Sequence, residues 1–378
     1  MNVTFTTAHK MMRKMVREFA EKEVAPLDPV MDRTQNFPYE LFDKMRALGF
    51  MGIIVPREYG GSGGDCVTSV ITLIELAKAS ASVAITMDAH WFATDAIIHF
   101  GTEAQRRKYL PRISAGSICS FSITEPGCGT DAAGVLTSAV ADGDEYVLNG
   151  AKSWCTNAEA SDIFIIMAKT DKGKGVKGIS AFIVEKGTPG FVVGAKESKL
   201  GIRGSVQNDL ILTNCRVKKD ALLGKENGGF KIAMQGLDGA RISITAIGVG
   251  LCERAIKISR EYARERRAFG NRLADFQAIQ HMIADMAVGL EAGKLMAYDV
   301  ASMKDAGMRF TKEAAMAKIM SSTHAVKCGL DCIQILGGGG YSTENPAERI
   351  LRDAKILEIG EGTTQALKMI VGKAELEI

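Results

Sequence analysis

The chain has 378 residues, 46% of them hydrophobic and 24% charged, with a net charge of +3. That size supports substantial cores without disulfides and suggests two or three domains or one large one. The near-balanced charge and the absence of a basic run argue against nucleic acid as a partner. No run of eighteen apolar residues is present to span a membrane.

In chain order, the first segment is helical to about Ala115. Met12, Met15, Val16 and Phe19 fall on one helix face, and Tyr39 to Leu48 and Ser69 to Ala79 follow the same period. Met11 to Val24 carries both charge signs, including Glu18, Glu21 and Glu23, unlike a signal peptide. The glycine-rich stretch from Pro56 to Gly64 predicts a loop. From Gly116 short β-rich runs alternate with turn residues: Tyr146 to Leu148, Ile163 to Met167, Ala181 to Val184, Phe191 to Val193 and Leu210 to Leu212. Their spacing predicts a compact β-sandwich or barrel. From Phe230 onward long apolar stripes return, Leu251, Ala255, Ile258 and Tyr262 on one helix and Ile279, Ile283, Met286 and Leu290 on the next. These predict a helical bundle. The expected organisation is α+β, with a helical domain over residues 1–115, a β domain over 116–225 and a helical bundle domain over 226–378.

The eight cysteines, Cys66, Cys119, Cys128, Cys155, Cys215, Cys252, Cys328 and Cys332, form no Cys-x-x-Cys pair and read as reduced thiols of a cytoplasmic protein. Cys328 and Cys332 stand four apart on a predicted helix, with His324 four residues earlier. Nothing further completes a ligand set, and buried thiols are common core residues, so no metal is expected.

Four motifs carry a resemblance that covers essentially the whole chain. They are Phe121-Ser-Ile-Thr-Glu-Pro-Gly-Cys-Gly-Thr-Asp131; Trp154-Cys-Thr156 after Asn149-Gly-Ala-Lys152; Arg266-Arg-Ala-Phe-Gly270 with Gln277; and Gln334-Ile-Leu-Gly-Gly-Gly-Gly-Tyr341 followed by Glu348 to Asp353 and Glu361-Gly-Thr363. In this order they resemble the acyl-CoA dehydrogenase family, in which the C-terminal domain is a four-helix bundle. The resemblance implies FAD-dependent removal of a proton from the α carbon and a hydride from the β carbon of an acyl-CoA thioester. That chemistry needs a positioned base, a polarised thioester carbonyl and a hydride acceptor. Glu361 matches the family's base. Phe121, Ile123, Thr124, Thr130, Trp154 and Thr156 match the flavin contacts, completed by Thr363 and Gln365. Arg266 matches the pyrophosphate partner, and Phe269, Gln277, Gln334, Gly337 and Gly338 match the adenosine contacts, which in the family reach a neighbouring subunit's FAD. A homo-oligomer, typically a tetramer, is thereby implied, as is an electron-transferring flavoprotein as partner. Asp238, Arg241, Thr130 and Gly362 match substrate contacts. Lys199 to Gly204 resembles a family segment and reads as scaffold.

Several alternatives stay open on the residues alone. The same site runs in reverse as an enoyl-CoA reductase. An acyl-CoA oxidase is disfavoured because such chains are usually much longer. A DNA-binding flavoprotein of this fold would carry excess positive charge near its C-terminus, whereas this chain reads Ala374-Glu-Leu-Glu-Ile378.

Two positions depart from the family pattern. Gly360 stands before the base where a bulky aromatic is usual, which predicts a short branched or cyclic acyl group. Asp88 falls at a pocket-lining position, where a buried carboxylate must be paired or protonated. It is expected either to bond a local partner such as His90 or to face substrate as a second catalytic acid or base.

Overall fold

The computed structural model describes residues 4–377. Six helices come first: α1 (Thr7–Phe19), α2 (Asp28–Thr34), α3 (Tyr39–Ala47), α4 (Cys66–Ala79), α5 (Ala81–Phe100) and α6 (Glu103–Ser114). Side chains fix their starts. Thr6 and His9 form a capping box on α1, and Asp65 caps α4 through the Thr68 amide. α4 and α5 are buried on most of their surface. α5 lies between the sheet and the bundle, touching β1 on one side and α7 on the other.

The middle of the chain forms β1 (Cys119–Ser122), β2 (Ser138–Asp142), β3 (Glu145–Thr156), β4 (Ile163–Lys169), β5 (Ile179–Glu185), β6 (Phe191–Lys196), β7 (Gln207–Lys218) and β8 (Leu222–Leu223). They make one eight-stranded sheet in the order β6-β7-β3-β2-β4-β5-β8, with β1 parallel to β4. β2 and β4 share a single registered pair, Ser138 with Lys169. The two halves of the sheet close on each other there. Tyr146 meets Phe182 and Phe164 meets Phe191 across a common core that also holds Leu148, Leu210 and Cys215. The other face of β4 and β5, through Ile163, Ile165, Met167 and Ile183, packs on α5 and α6. Burial on both faces explains why Ile163 to Met167 is continuously apolar rather than alternating.

The last part comprises α7 (Gly229–Glu265), the small hairpin β9 (Arg267–Ala268) and β10 (Asn271–Arg272), then α8 (Gln277–Asp305), α9 (Thr311–Leu336), α10 (Gly338–Tyr341), α11 (Ala347–Lys355) and α12 (Thr364–Glu375). α7 and α9 run parallel: Thr311 Oγ1 donates to Asp238 and, two turns on, Ser321 Oγ donates to the Thr245 carbonyl. One continuous apolar cluster joins the first helices to this bundle, from Val16 and Phe42 to Leu251 and Cys332. Buried ion pairs add to the seam. Arg254 and Arg349 both reach Asp28, and Arg352 reaches Asp32. The Lys199–Gly204 loop is tied to α11 by the Ile202 amide, 2.6 Å from Asp353 Oδ1.

Candidate active site

The loop between α11 and α12 carries Glu361. Its backbone is left-handed, φ +56°, and Gly362 follows at φ +100°. A non-glycine residue there costs of order 1–3 kcal/mol and persists only where its surroundings hold it. Two buried cations do so. Arg241 Nε on α7 donates to the Glu361 carbonyl at 3.3 Å, and Lys318 Nζ on α9 donates to the Gly362 carbonyl at 2.7 Å. Arg241 is itself braced by Asp238, whose other carboxylate oxygen accepts from Thr311 at 2.7 Å. Asp238 and Arg241 therefore shape the base loop, whatever else they contact. The Glu361 N–H finds no acceptor among the described residues. Burial raises the carboxyl above the usual glutamate range, while Arg241 and Lys318 pull it back. The Lys318 ammonium is pushed down to about 8 by burial, against the opposing attraction of Glu361. Lys318 is a residue of this loop's surroundings that sequence patterning missed, because a lysine inside an apolar helical stripe carries no local signal of what it faces.

Asp88 is only 5% exposed, on α5. The partner anticipated for it, His90, faces elsewhere. His90 Nδ1 accepts from the Cys119 amide at 3.1 Å, so Nε2 carries the hydrogen and donates to the Met51 carbonyl at 3.1 Å. Burial lowers that imidazole to about 4, leaving it neutral. Asp88 instead faces Ser243 and is near enough to Glu361 for the two carboxylates to repel. Burial first, and Glu361 second, push it well above the usual aspartate range. It lines a cavity of about 320 Å³ together with Trp91, Phe92, Asp95, Ser243 and Lys304. The Trp91 indole N–H is buried and has no acceptor among the described residues. Phe92 stacks on Phe121 with ring centroids 4.4 Å apart. Its ring occupies the place where a side chain at Gly236 would begin, 2.0 Å from a built Cβ.

The flavin-type residues gather on β1 and β3. Phe121 lies on β1, with Ile123 and Thr124 just after the strand. A bulge in β3 between Lys152 and Cys155 turns Trp154 to φ +59° and leaves its indole 50% exposed. Thr156 Oγ1 accepts from Gln207 Nε2 at 3.2 Å. The loop from Thr124 to Asp131 is pinned from beneath. Glu125 accepts from the Leu136 and Thr137 amides and from Lys152 Nζ at 2.7 Å, and Ser153 N–H donates to the Thr124 carbonyl. Burial opposes both ions, but the pairing holds Glu125 below the usual carboxylate range. Glu125 and Lys152 are thus the concealed support of two motifs that look independent in the sequence. An exposed indole on a strained bulge, with the partnerless buried hydroxyl of Ser122 on the neighbouring strand β1, suits a flat heteroaromatic ring with polar edges. The residues present fit a flavin. Thr130 and Gln365 stand exposed, and Thr363 caps α12 through the Ala366 amide.

The adenosine-type residues lie at the far end of the bundle. Arg266 follows α7 and is exposed, as are Gln277, Gln334, Gly337 and Gly338. Phe269 sits at the tip of the β9–β10 hairpin at φ +52° and is 94% exposed, and Tyr341 is 84% exposed. Arg241 lies in the first half of α7 and Arg266 caps its C-terminal end, and a rise of 1.5 Å per residue separates them by roughly 37 Å.

Comparisons with known proteins agree with this geometry. The acyl-CoA dehydrogenase N-terminal, middle and C-terminal domain families match residues 6–117, 120–215 and 227–376. The short-chain specific acyl-CoA dehydrogenase of Clostridium acetobutylicum is 42% identical over 98% of this chain and 98% of its own. Acryloyl-CoA reductase (NADH) of Anaerotignum propionicum is 44% identical over 99% of this chain and 95% of its own. A solved structure described as the electron transferring flavoprotein of Acidaminococcus fermentans superposes with a TM-score of 0.98 at 43% identity over 100% of both chains. Among the described residues no helix is long and apolar enough to cross a membrane. The chain belongs to the acyl-CoA dehydrogenase family and is an FAD-dependent oxidoreductase of acyl-CoA thioesters.

Proposed function

We propose that this enzyme dehydrogenates a short, branched or cyclic acyl-CoA at its α,β bond, with Glu361 as the base for the α proton. The observation that carries the substrate assignment is Gly360. A Cβ built there meets only the Ile356 carbonyl, at 3.6 Å, so the space an aromatic side chain would fill is open beside the base. Room beside the base suits a chain with a substituent or ring, and the short-chain specific relative supports a short one.

Bound FAD supplies the hydride acceptor. Phe121, Ile123, Thr124, Thr130, Trp154, Thr156, Thr363 and Gln365 would hold its flavin half. Arg266, Phe269, Gln277, Gln334, Gly337 and Gly338 would hold the adenosine half of a neighbouring subunit's cofactor. The separation of Arg266 from the base loop, roughly 37 Å along α7 from Arg241, supports that division. The exposed Phe269 and Tyr341 would then be covered in a homo-oligomer, a tetramer by family habit. Asp238, Arg241, Thr130 and Gly362 would contact the CoA thioester. The free Glu361 N–H would donate to the thioester carbonyl, which acidifies the α carbon. Glu361 takes the proton once it is ionised, and the raised affinity of its buried carboxylate for protons matches that task. Asp88, beside Ser243 and pushed well above the usual aspartate range by burial and by Glu361, would act as a second acid or base on a remote part of the acyl group. Electrons would pass to an electron-transferring flavoprotein, in the cytoplasm.

The reverse reaction, enoyl-CoA reduction, is a second direction for the same site. The likeness to acryloyl-CoA reductase favours it. Anaerobic bleaching of the bound flavin by straight, branched and cyclic acyl-CoAs tests the assignment. Branched or cyclic chains should bleach fastest. A preference for linear chains would remove the Gly360 argument, and no bleaching with any of them would remove the dehydrogenase direction.

A further inference from the structure

Deep between α7, α8 and α9, three side chains of ligand type meet: Cys252, His324 and Cys328. Their sulfur and ring-nitrogen atoms all lie within 4.8 Å of one another. At about 1.5 Å of rise per residue, Cys252 is roughly 16 Å along α7 from Arg241, so the cluster lies apart from the base loop. Sequence spacing pairs Cys328 with Cys332, but the structure turns Cys332 toward Ser259 and brings in Cys252 from another helix.

The imidazole is held in one tautomer. His324 Nε2 lies 3.0 Å from the Met286 carbonyl, which only accepts, so Nε2 carries the hydrogen. Nδ1 therefore keeps its lone pair for the thiols. A backbone carbonyl behind the distal ring nitrogen is the usual support of a metal-binding histidine. The ring also needs the niche it occupies. A Cβ at Gly289 would fall 2.2–2.4 Å from three of its atoms. Among the described residues, no other group of three histidine, cysteine or acidic side chains converges in this way.

We propose that Cys252, His324 and Cys328 bind one divalent, thiophilic cation of the zinc type. For three atoms no more than 4.8 Å apart, some point lies within about 2.8 Å of all of them. Zinc bonds to sulfur and nitrogen are about 2.0–2.3 Å, so the ligands close by under about 1 Å. Two thiolates neutralise a divalent ion, so the loaded site carries no net charge into the apolar interior. Water would complete a tetrahedron. Binding releases the two thiol protons to solvent and changes no oxidation state. The bare cluster would otherwise be a hydrogen-bonded chain of thiols and imidazole, which has no metal spectrum.

The test is cobalt titration of the FAD-loaded, fully reduced and metal-stripped protein. One equivalent of Co²⁺ should give the intense ligand-field bands of a tetrahedral thiolate site, at wavelengths beyond flavin absorption. One equivalent of Zn²⁺ should abolish them. Cys332→Ser should keep the bands. Cys252→Ser, Cys328→Ser and His324→Gln should each weaken or lose them, with flavin content reporting that the variants are folded. If these three variants do not fold, protection of two thiols against alkylation by one equivalent of Zn²⁺ in the wild type decides. Absent bands, weak octahedral bands, bands that survive Cys252→Ser, or no thiol protection would overturn the site.

Discussion

Glu361 and Asp88 are two carboxyl groups near enough to repel, yet their surroundings push them toward different tasks. Glu361 sits on a strained loop between two cations, Arg241 and Lys318, that hold the carbonyls of Glu361 and Gly362 and lower its proton affinity. Asp88 sits mid-helix beside a hydroxyl, with the nearest full positive charge on Lys304, and the repulsion from Glu361 adds to burial. The first carboxyl is poised to accept a proton, the second to keep one. Environment would thus assign acid and base where residue type is nearly the same.

The largest test of this contrast is Glu361→Gln. It should retain flavin and cut kcat by about 10³-fold or more, the scale of a lost general base, in steady-state turnover. Asp88→Asn should leave linear short-chain turnover intact but lower that of a branched or cyclic substrate by about 10²-fold. Equal turnover on every substrate would reduce Asp88 to a wall of the pocket. Lys318→Met should lower kcat about tenfold, as loss of one charge-assisted hydrogen bond implies. Its sharper signature is pH. Glu361 works as base only when ionised, so its raised affinity for protons places the acid limb of kcat/KM above the ordinary glutamate range. Removing Lys318 takes away a stabilising cation and should move that limb to still higher pH. An unmoved limb would show that Lys318 only braces the loop. The smallest effect is expected from Gly360→Tyr. It should fold normally, since a Cβ there meets only the Ile356 carbonyl at 3.6 Å, and shift the linear-to-branched ratio of kcat/KM roughly tenfold toward linear chains.

The three regions of the fold were visible in periodicity. β4 was legible as a strand because five apolar residues between turn signals satisfy no other element of that length. The base loop was legible because Gly360, Glu361 and Gly362 announce an unusual backbone. Arg241 and Asp238 were identified, though their bracing of that loop was not. The continuity of the first helices with the bundle was hidden, since helical stripes state that a face is covered but not by which partner. Lys318, and the support that Glu125 and Lys152 give the flavin loop, were hidden for the same reason.

The sequence by itself determined the family motifs and the succession of helices, strands and helices, because motif, periodicity and turn propensity act over a few neighbouring residues. Only the tertiary structure decided what each buried charge or thiol faces. His90 turned from Asp88 to a carbonyl and an amide, Lys318 arrived at the Gly362 carbonyl, and Cys252 displaced Cys332 beside Cys328. These choices depend on how distant helices cross, and a buried polar group takes the partner that packing brings within reach.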